Sequence, residues 1–183
     1  DDNTATAVWA GYKKEKWGLG GFWASIEGNY GAFGSWGRLG TSWNPANVEG
    51  FGVNAWFQLS DRAKLSFNGE WFDGAETAQG IFGIGLGPDD TVTSYNVKVN
   101  YDLNEAWDLN LGWESVDWDF DIGGDPEQSW WSVGLSRNLS DRTTFSLNYL
   151  SSDVDFKGVG SLDPAGLDVY KGGVLSSQLS FKF

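Results

Sequence analysis

The chain has 183 residues, a formal net charge of −13, twelve Trp, twelve Phe and six Tyr, and neither Cys nor His. Without those two residue types there is no disulfide framework, no thiolate or imidazole metal site, and no Ser-His-Asp or Cys-His catalysis. The acid excess argues against nucleic-acid binding, which needs a basic patch to neutralise phosphates, and against electrostatic adhesion to anionic lipid.

The length fits a single domain covering residues 1–183. Aromatic content is high for a soluble domain, yet mean hydropathy is negative and no run approaches the roughly 20 apolar residues of a spanning helix. Strands that turn only alternate residues to lipid reconcile the two. The chain opens on Asp1-Asp2-Asn3 with no charged and apolar leader, which reads as the start of a processed, exported protein.

In chain order, residues 4–12 and 17–27 suggest a hairpin about Lys13-Lys14-Glu15-Lys16, and residues 32–43 a third strand, although frequent Gly blurs the alternation. From residue 51 the pattern is regular. Phe51, Val53, Ala55, Phe57 and Leu59 are apolar at odd positions; Ala63, Leu65, Phe67 and Trp71 follow beyond Ser60-Asp61-Arg62. Tyr95, Val97, Val99, Tyr101 and Leu103 keep the same parity, as do Trp107, Leu109, Leu111 and Trp113 after Asn104-Glu105. Trp131, Val133, Leu135 and Leu139 lead to Ser140-Asp141-Arg142, then Phe145, Leu147 and Tyr149, and the last strand carries Leu175, Leu179, Phe181 and Phe183. Polar residues fill the even positions, so each segment predicts a strand with one apolar and one polar face, about long enough to cross a bilayer at a tilt. Val116, Trp118, Phe120 and Ile122, and again Val154 and Phe156, sit on the opposite parity, which predicts a bulge or an extension where the strands leave the lipid. Connections alternate between short polar turns and longer Gly-, Asp- and Pro-rich stretches at 74–90, 119–128 and 157–172.

Residues 132–149, with their Leu-Ser-Asp-Arg-Thr turn and alternating strand containing Tyr149, together with the closing Phe181-Lys182-Phe183, resemble the last strands of Gram-negative general porins. The resemblance covers roughly the last 55 residues and such porins need about twice this chain length for their strand number. It implies the outer membrane of a Gram-negative-type bacterium, lipid and lipopolysaccharide as surroundings, and a C-terminal strand read by the barrel-assembly machinery, with oligomers open.

The expected fold is therefore all-β: a transmembrane antiparallel up-and-down β-barrel of about ten strands, or eight if the first hairpin lies outside it, with both chain ends on the short-turn side. Even-numbered Lys64, Glu70, Lys98, Asp102, Asp108, Glu114 and Lys182 would face the lumen, either lining a pore or pairing to plug it. Asp117, Asp119, Asp121, Asp125, Asp153 and Asp155 would form an acidic loop rim. Spaced carboxylates suit Ca²⁺, but their strand-like alternation lacks the twelve-residue Ca²⁺ loop, so a solvated rim with at most weakly bound Ca²⁺ is expected and no cofactor. Tyr101, Trp107, Phe181 and Phe183 at one end, and Trp71, Trp113 and Trp131 at the other, would form interfacial girdles. The reading is a porin-like passive channel for small hydrophilic solutes or ions, weakly cation-preferring and not an enzyme. The alternatives are a closed structural or adhesive barrel acting through its acidic loops, and a secreted Trp-rich carbohydrate-binding β-sandwich.

Overall fold

The computed structural model describes residues 4–27, 47–75, 86–121, 124–157 and 169–182. They form β1 (Ala5–Lys13), β2 (Trp17–Ile26), β3 (Val48–Ser60), β4 (Ala63–Gly74), β5 (Thr91–Asn104), β6 (Trp107–Asp119), β7 (Glu127–Ser140), β8 (Thr143–Asp155) and β9 (Val169–Phe181). All nine lie in one sheet in sequence order, each antiparallel to the next. No helix occurs among the described residues.

Three of the short turns are chemically alike. Ser60 Oγ accepts the Arg62 N–H at 3.3 Å, Ser140 Oγ accepts the Arg142 N–H at 3.3 Å, and Asn104 Oδ1 accepts the Ala106 N–H at 3.0 Å. Such side chains close a turn locally by hydrogen-bonding the backbone two residues on. Each turn is preceded by a register shift, at Gln58/Ser60, Asp102/Asn104 and Asn138/Ser140. The repeat of turn and bulge reverses the chain while keeping odd residues opposite odd ones from β2 to β9.

The β1–β2 hairpin is the exception. Val8 pairs with Trp23 and Lys13 with Gly18, so even residues of β1 share a face with odd residues of β2. That single change of parity, together with the Gly-rich composition of β2, is why alternation is hard to read before residue 50.

Two faces result. The odd face from β2 onward carries unbroken apolar rows, such as Phe57, Leu65, Val99, Leu111, Val133, Tyr149 and Leu175, paired in turn across seven strands. Of these side chains Phe57, Leu111, Val133, Tyr149 and Leu175 are exposed, and Leu65 and Val99 are half-buried. The even face holds the core: Ala24, Val48, Phe72, Val92, Val116, Trp118 and Trp130 pack together with Leu86, and Phe22, Ile26, Phe120 and Leu150 lean against them. A cluster joining β2 to β7 on one face requires the sheet to curl, with the even face inside.

The structure revises two expectations and decides between the alternatives of a third. β2 pairs directly with β3, so nine strands are described rather than ten; residues 32–43 lie outside the described residues. Among the described strands, β1 starts at the long-loop end and β9 finishes at the short-turn end, instead of both on the short-turn side. Of the two readings of Val116, Trp118 and Val154, the extension holds and the bulge does not, because β5–β6 and β7–β8 keep continuous register through them. Their side chains lie inside, on the even face where they belong by position, and only the polarity of the two faces has changed; Ile122 lies outside the described residues.

Candidate functional site

The inner face of the short-turn half is polar strand after strand. Gln58, Lys64, Asn100, Asn110, Gly134, Asn148 and Ser176 form one paired row, and Asp102, Asp108, Ser136, Ser146 and Gln178 form another. Glu70 accepts from Asn68 Nδ2 at 2.9 Å, Glu114 accepts from Asn96 Nδ2 at 2.9 Å, and the Ser136 and Ser146 hydroxyls share a hydrogen bond of 2.9 Å. The Lys64 ammonium lies 4.8 Å from the centre of the Trp56 ring, a cation–π contact on the same wall. Lys64, Glu70, Lys98, Asp102, Asp108 and Glu114 thus fall on one wall in β4, β5 and β6. Lys182 follows β9 at the short-turn end, its N–H bonded to the Arg142 carbonyl at 2.9 Å.

Sequence parity misses one wall charge. Lys13 pairs with Gly18, which pairs with Trp56, so Lys13 also faces inward. The expected balance was four acids (Glu70, Asp102, Asp108, Glu114) to three bases (Lys64, Lys98, Lys182); adding Lys13 makes four to four on this face. The signal for it was the connection 14–16, one residue longer than the other short turns, which shifts β1 by one position.

The outer face explains what surrounds this wall. Its apolar rows are bordered by aromatics at both ends. At the long-loop border Phe51 stacks on Trp71 at 5.2 Å, Trp71 meets Tyr95 edge-on at 5.6 Å and donates to its hydroxyl at 3.3 Å, and Trp113 lies 6.2 Å from Trp131. At the short-turn border Tyr12 packs on Trp17 at 5.7 Å, and the Arg137 guanidinium lies over Trp107 at 5.2 Å. Amphipathic rings at both edges of an apolar band match the two interfaces of a bilayer. Phe183 lies outside the described residues.

Beyond the long-loop border the faces exchange character. Outward positions become polar: Thr93, Asp117, Glu127 and Asp155 form one paired row, and Ser115, Ser129, Asp153 and Lys171 the next. All of them but Thr93 border an open groove of about 550 Å³. Asp117, Asp119, Asp153 and Asp155 are therefore strand residues and not loop residues, because β6 and β8 run on past the apolar band; Asp121 and Asp125 do lie in the connection between β6 and β7. Lys157, at a φ of 48°, aims its ammonium at Glu127 (3.2 Å) and Asp155 (3.1 Å), and Lys171 pairs with Asp153 at 2.7 Å. The backbone N–H of Lys157 donates to Asp155 at 2.9 Å and, with its ammonium, holds the Asp155 carboxyl below the usual carboxylate range. Asp117 is displaced the other way: partial burial, then the facing Glu127 charge, raise its pKa against the opposing Ser115 hydroxyl. Among the described residues no three carboxylates converge as a metal site would require.

The loop bases at this end are tied to one another. Asn47, at a φ of 55°, donates Nδ2 to the carbonyls of Leu86 (2.8 Å) and Ala75 (3.3 Å). Asp90 accepts from Gly87 N–H at 2.7 Å and Asp121 N–H at 2.9 Å, while its own carbonyl receives Gly74 N–H at 2.7 Å. The Gly87 carbonyl approaches Gly74 so closely that a Cβ there would collide with it. These ties cap the buried apolar layer beneath and join connections far apart in sequence.

A curled up-and-down sheet with an apolar outer belt between aromatic borders, and a polar inner wall, has the fold of an outer-membrane β-barrel. The chain is similar in structure to OmpT (in-vitro folded), an outer membrane protein of Vibrio cholerae, with a TM-score of 0.56 and 13% sequence identity, over 96% of this chain and 55% of that one. This chain thus spans about half the length of that protein. No family model and no curated protein matches the sequence.

Proposed function

We propose that the protein resides in a bacterial outer membrane and forms the wall of a porin-like passive channel for small hydrophilic solutes or ions. The observation that carries this reading is the polar inner face running across β3 to β9 behind a continuous apolar outer belt. A wall of Ser, Asn and Gln with balanced charge holds water without binding any one solute tightly. With four acids and four bases on that wall, weak cation preference comes from the acidic residues beyond the band, which concentrate cations at the mouth. No catalytic role is assigned.

The closed structural barrel is the second reading, favoured by one observation: the inner face of the long-loop half is packed with Val92, Val116, Trp118 and Trp130 rather than wet.

Cysteine accessibility separates the two, since the chain has no Cys of its own. With the protein inserted in lipid vesicles, Asn96→Cys and Ser132→Cys should react with a water-soluble maleimide, while Val97→Cys and Val133→Cys should be shielded by lipid. Inner positions as unreactive as the outer ones would overturn the channel reading in favour of a plugged barrel.

A further inference from the structure

Among the described residues β1 pairs only with β2, and β9 only with β8. Every residue of β1 is exposed, and so is every residue of β9 except one. Isolated soluble sheets blunt such edges with Pro, charge or bulges. Neither edge here is blunted: Ala5–Lys13 carries no charge before its last residue, and Val169–Phe181 carries only Lys171, beyond the apolar band. Instead β9 alternates Leu175, Leu179 and Phe181 with Ser176, Gln178 and Ser180, in step with the belt and wall of β8. It is built as an interior strand. In lipid no water can satisfy an edge of unpaired N–H and C=O groups, which is why membrane sheets close.

Strand direction limits what can close this one. Odd-numbered strands all run from the long-loop end to the short-turn end, so β1 and β9 point the same way. Joining them directly would make a parallel seam in an otherwise antiparallel sheet. A second copy related by an axis along the membrane normal would pair β9 with β1 in parallel too; an in-plane axis would set the long loops on opposite sides. Connections that leave and re-enter at the long-loop end add crossings only in pairs. Antiparallel closure needs an odd number of extra strands.

We infer that the free edges of β1 and β9 are docking edges for an odd-numbered set of further antiparallel strands. Those strands are apolar outside and polar inside, and they come from polypeptide beyond these 183 residues. The inference rests on the membrane-barrel reading. That this chain spans 55% of its structural neighbour leaves room for such a set in a barrel of that size.

Hydrogen exchange on the 183-residue chain, refolded in detergent, tests it. Amides of β1 and β9 should exchange on the order of 100-fold faster than those of β5 and β6, since edge strands open locally without global unfolding. Equal protection of all four strands would overturn the inference, and the mass of the particle would then tell a parallel nine-stranded closure from a two-copy one. Should the chain show no protected amides, one added strand decides: a Ser-Asp-Arg turn and a copy of residues 143–155 placed after Lys182. Protection regained in β5 and β6 supports the inference, and its continued absence overturns it. Either way the maleimide pattern reports separately on the wet wall, so the two readings fail independently.

Discussion

The short-turn and long-loop halves of this sheet are made by the same strands with opposite rules. Below the aromatic border Leu111 and Val133 face out and Asn110 and Ser132 face in; above it Asp117 and Glu127 face out and Val116 and Trp118 face in. The backbone does not change between them, as β6 stays in register with both neighbours from end to end except at its turn. In the outer-membrane placement proposed above the environment does: outside the lower half is lipid, and outside the upper half is water. An inversion of the hydrophobic pattern along a regular strand therefore records a change of solvent, and a bulge is not needed to explain it.

Adjacent tryptophans allow this contrast to be broken at one point. Trp130 is 1% exposed on the inner face and Trp131 is 64% exposed on the outer face. Trp130→Ala should cost about 3–5 kcal/mol by leaving a cavity in a packed layer, whereas Trp131→Ala should cost less, because lipid or detergent fills the space. Urea unfolding of the two variants measures the difference, and equal losses would mean that the upper inner face is not a core. Next in size, Leu111→Arg, near the middle of the belt, should cost about 2–4 kcal/mol in a bilayer. Asp117→Arg, only six residues along the same face of β6, should be tolerated, since its side chain borders an open groove and Glu127 directly opposite would pair with the new charge. Similar penalties at both positions would show that lipid reaches past the aromatic border.

The loop ties belong wholly to the upper half. Asp90→Ala removes the acceptor for two backbone N–H groups, Gly87 and Asp121, and should cost about 1–3 kcal/mol if they stay unsatisfied. Faster proteolysis within 86–90 and 120–121 would show that the ties hold the connections down.

Legibility in the sequence divides along the same border. Where one face meets lipid, apolar residues at every second position reveal the strand, its turn and the wall residues opposite, and Lys64, Lys98 and Glu114 lie on the inner face that parity predicts. Above the border the same period left a bulge and an extension both open at Val116 and Trp118, since alternation tells which residues share a face but not which face meets water; the unbroken register shows the extension. Lys13 was missed for a different reason: the hairpin connection sets register, and one extra residue turns all of β1 over. The long-range ties of Asn47 and Asp90 leave no periodic trace, although an Asn just before a strand is a residue type suited to the left-handed conformation it adopts.

The finest test lies in the row Asp117, Glu127 and Asp155, where like charges sit directly opposite one another. Lys157 bridges the last two, while at Asp117 partial burial, and after it the facing Glu127 charge, raise the pKa. The two aspartates should then respond to pH in opposite senses. A carboxyl whose folded pKa is raised contributes stability that is present below its unfolded value and lost as pH rises through the folded one; a lowered pKa contributes stability that is present at higher pH and lost on acidification. Asp117→Asn should accordingly stabilise relative to the parent only above the ordinary carboxyl value of 3.8, by a few tenths of a kcal/mol after allowance for solvent screening. Asp155→Asn should destabilise near neutrality, and the gap should close as pH falls below the same 3.8. Urea midpoints from about pH 3 to 7 read both slopes, given that carboxylates titrate across that range. Slopes of the same sign would mean that Lys157 does not divide the row as its two ion pairs imply, and that the carboxylates share its charge evenly.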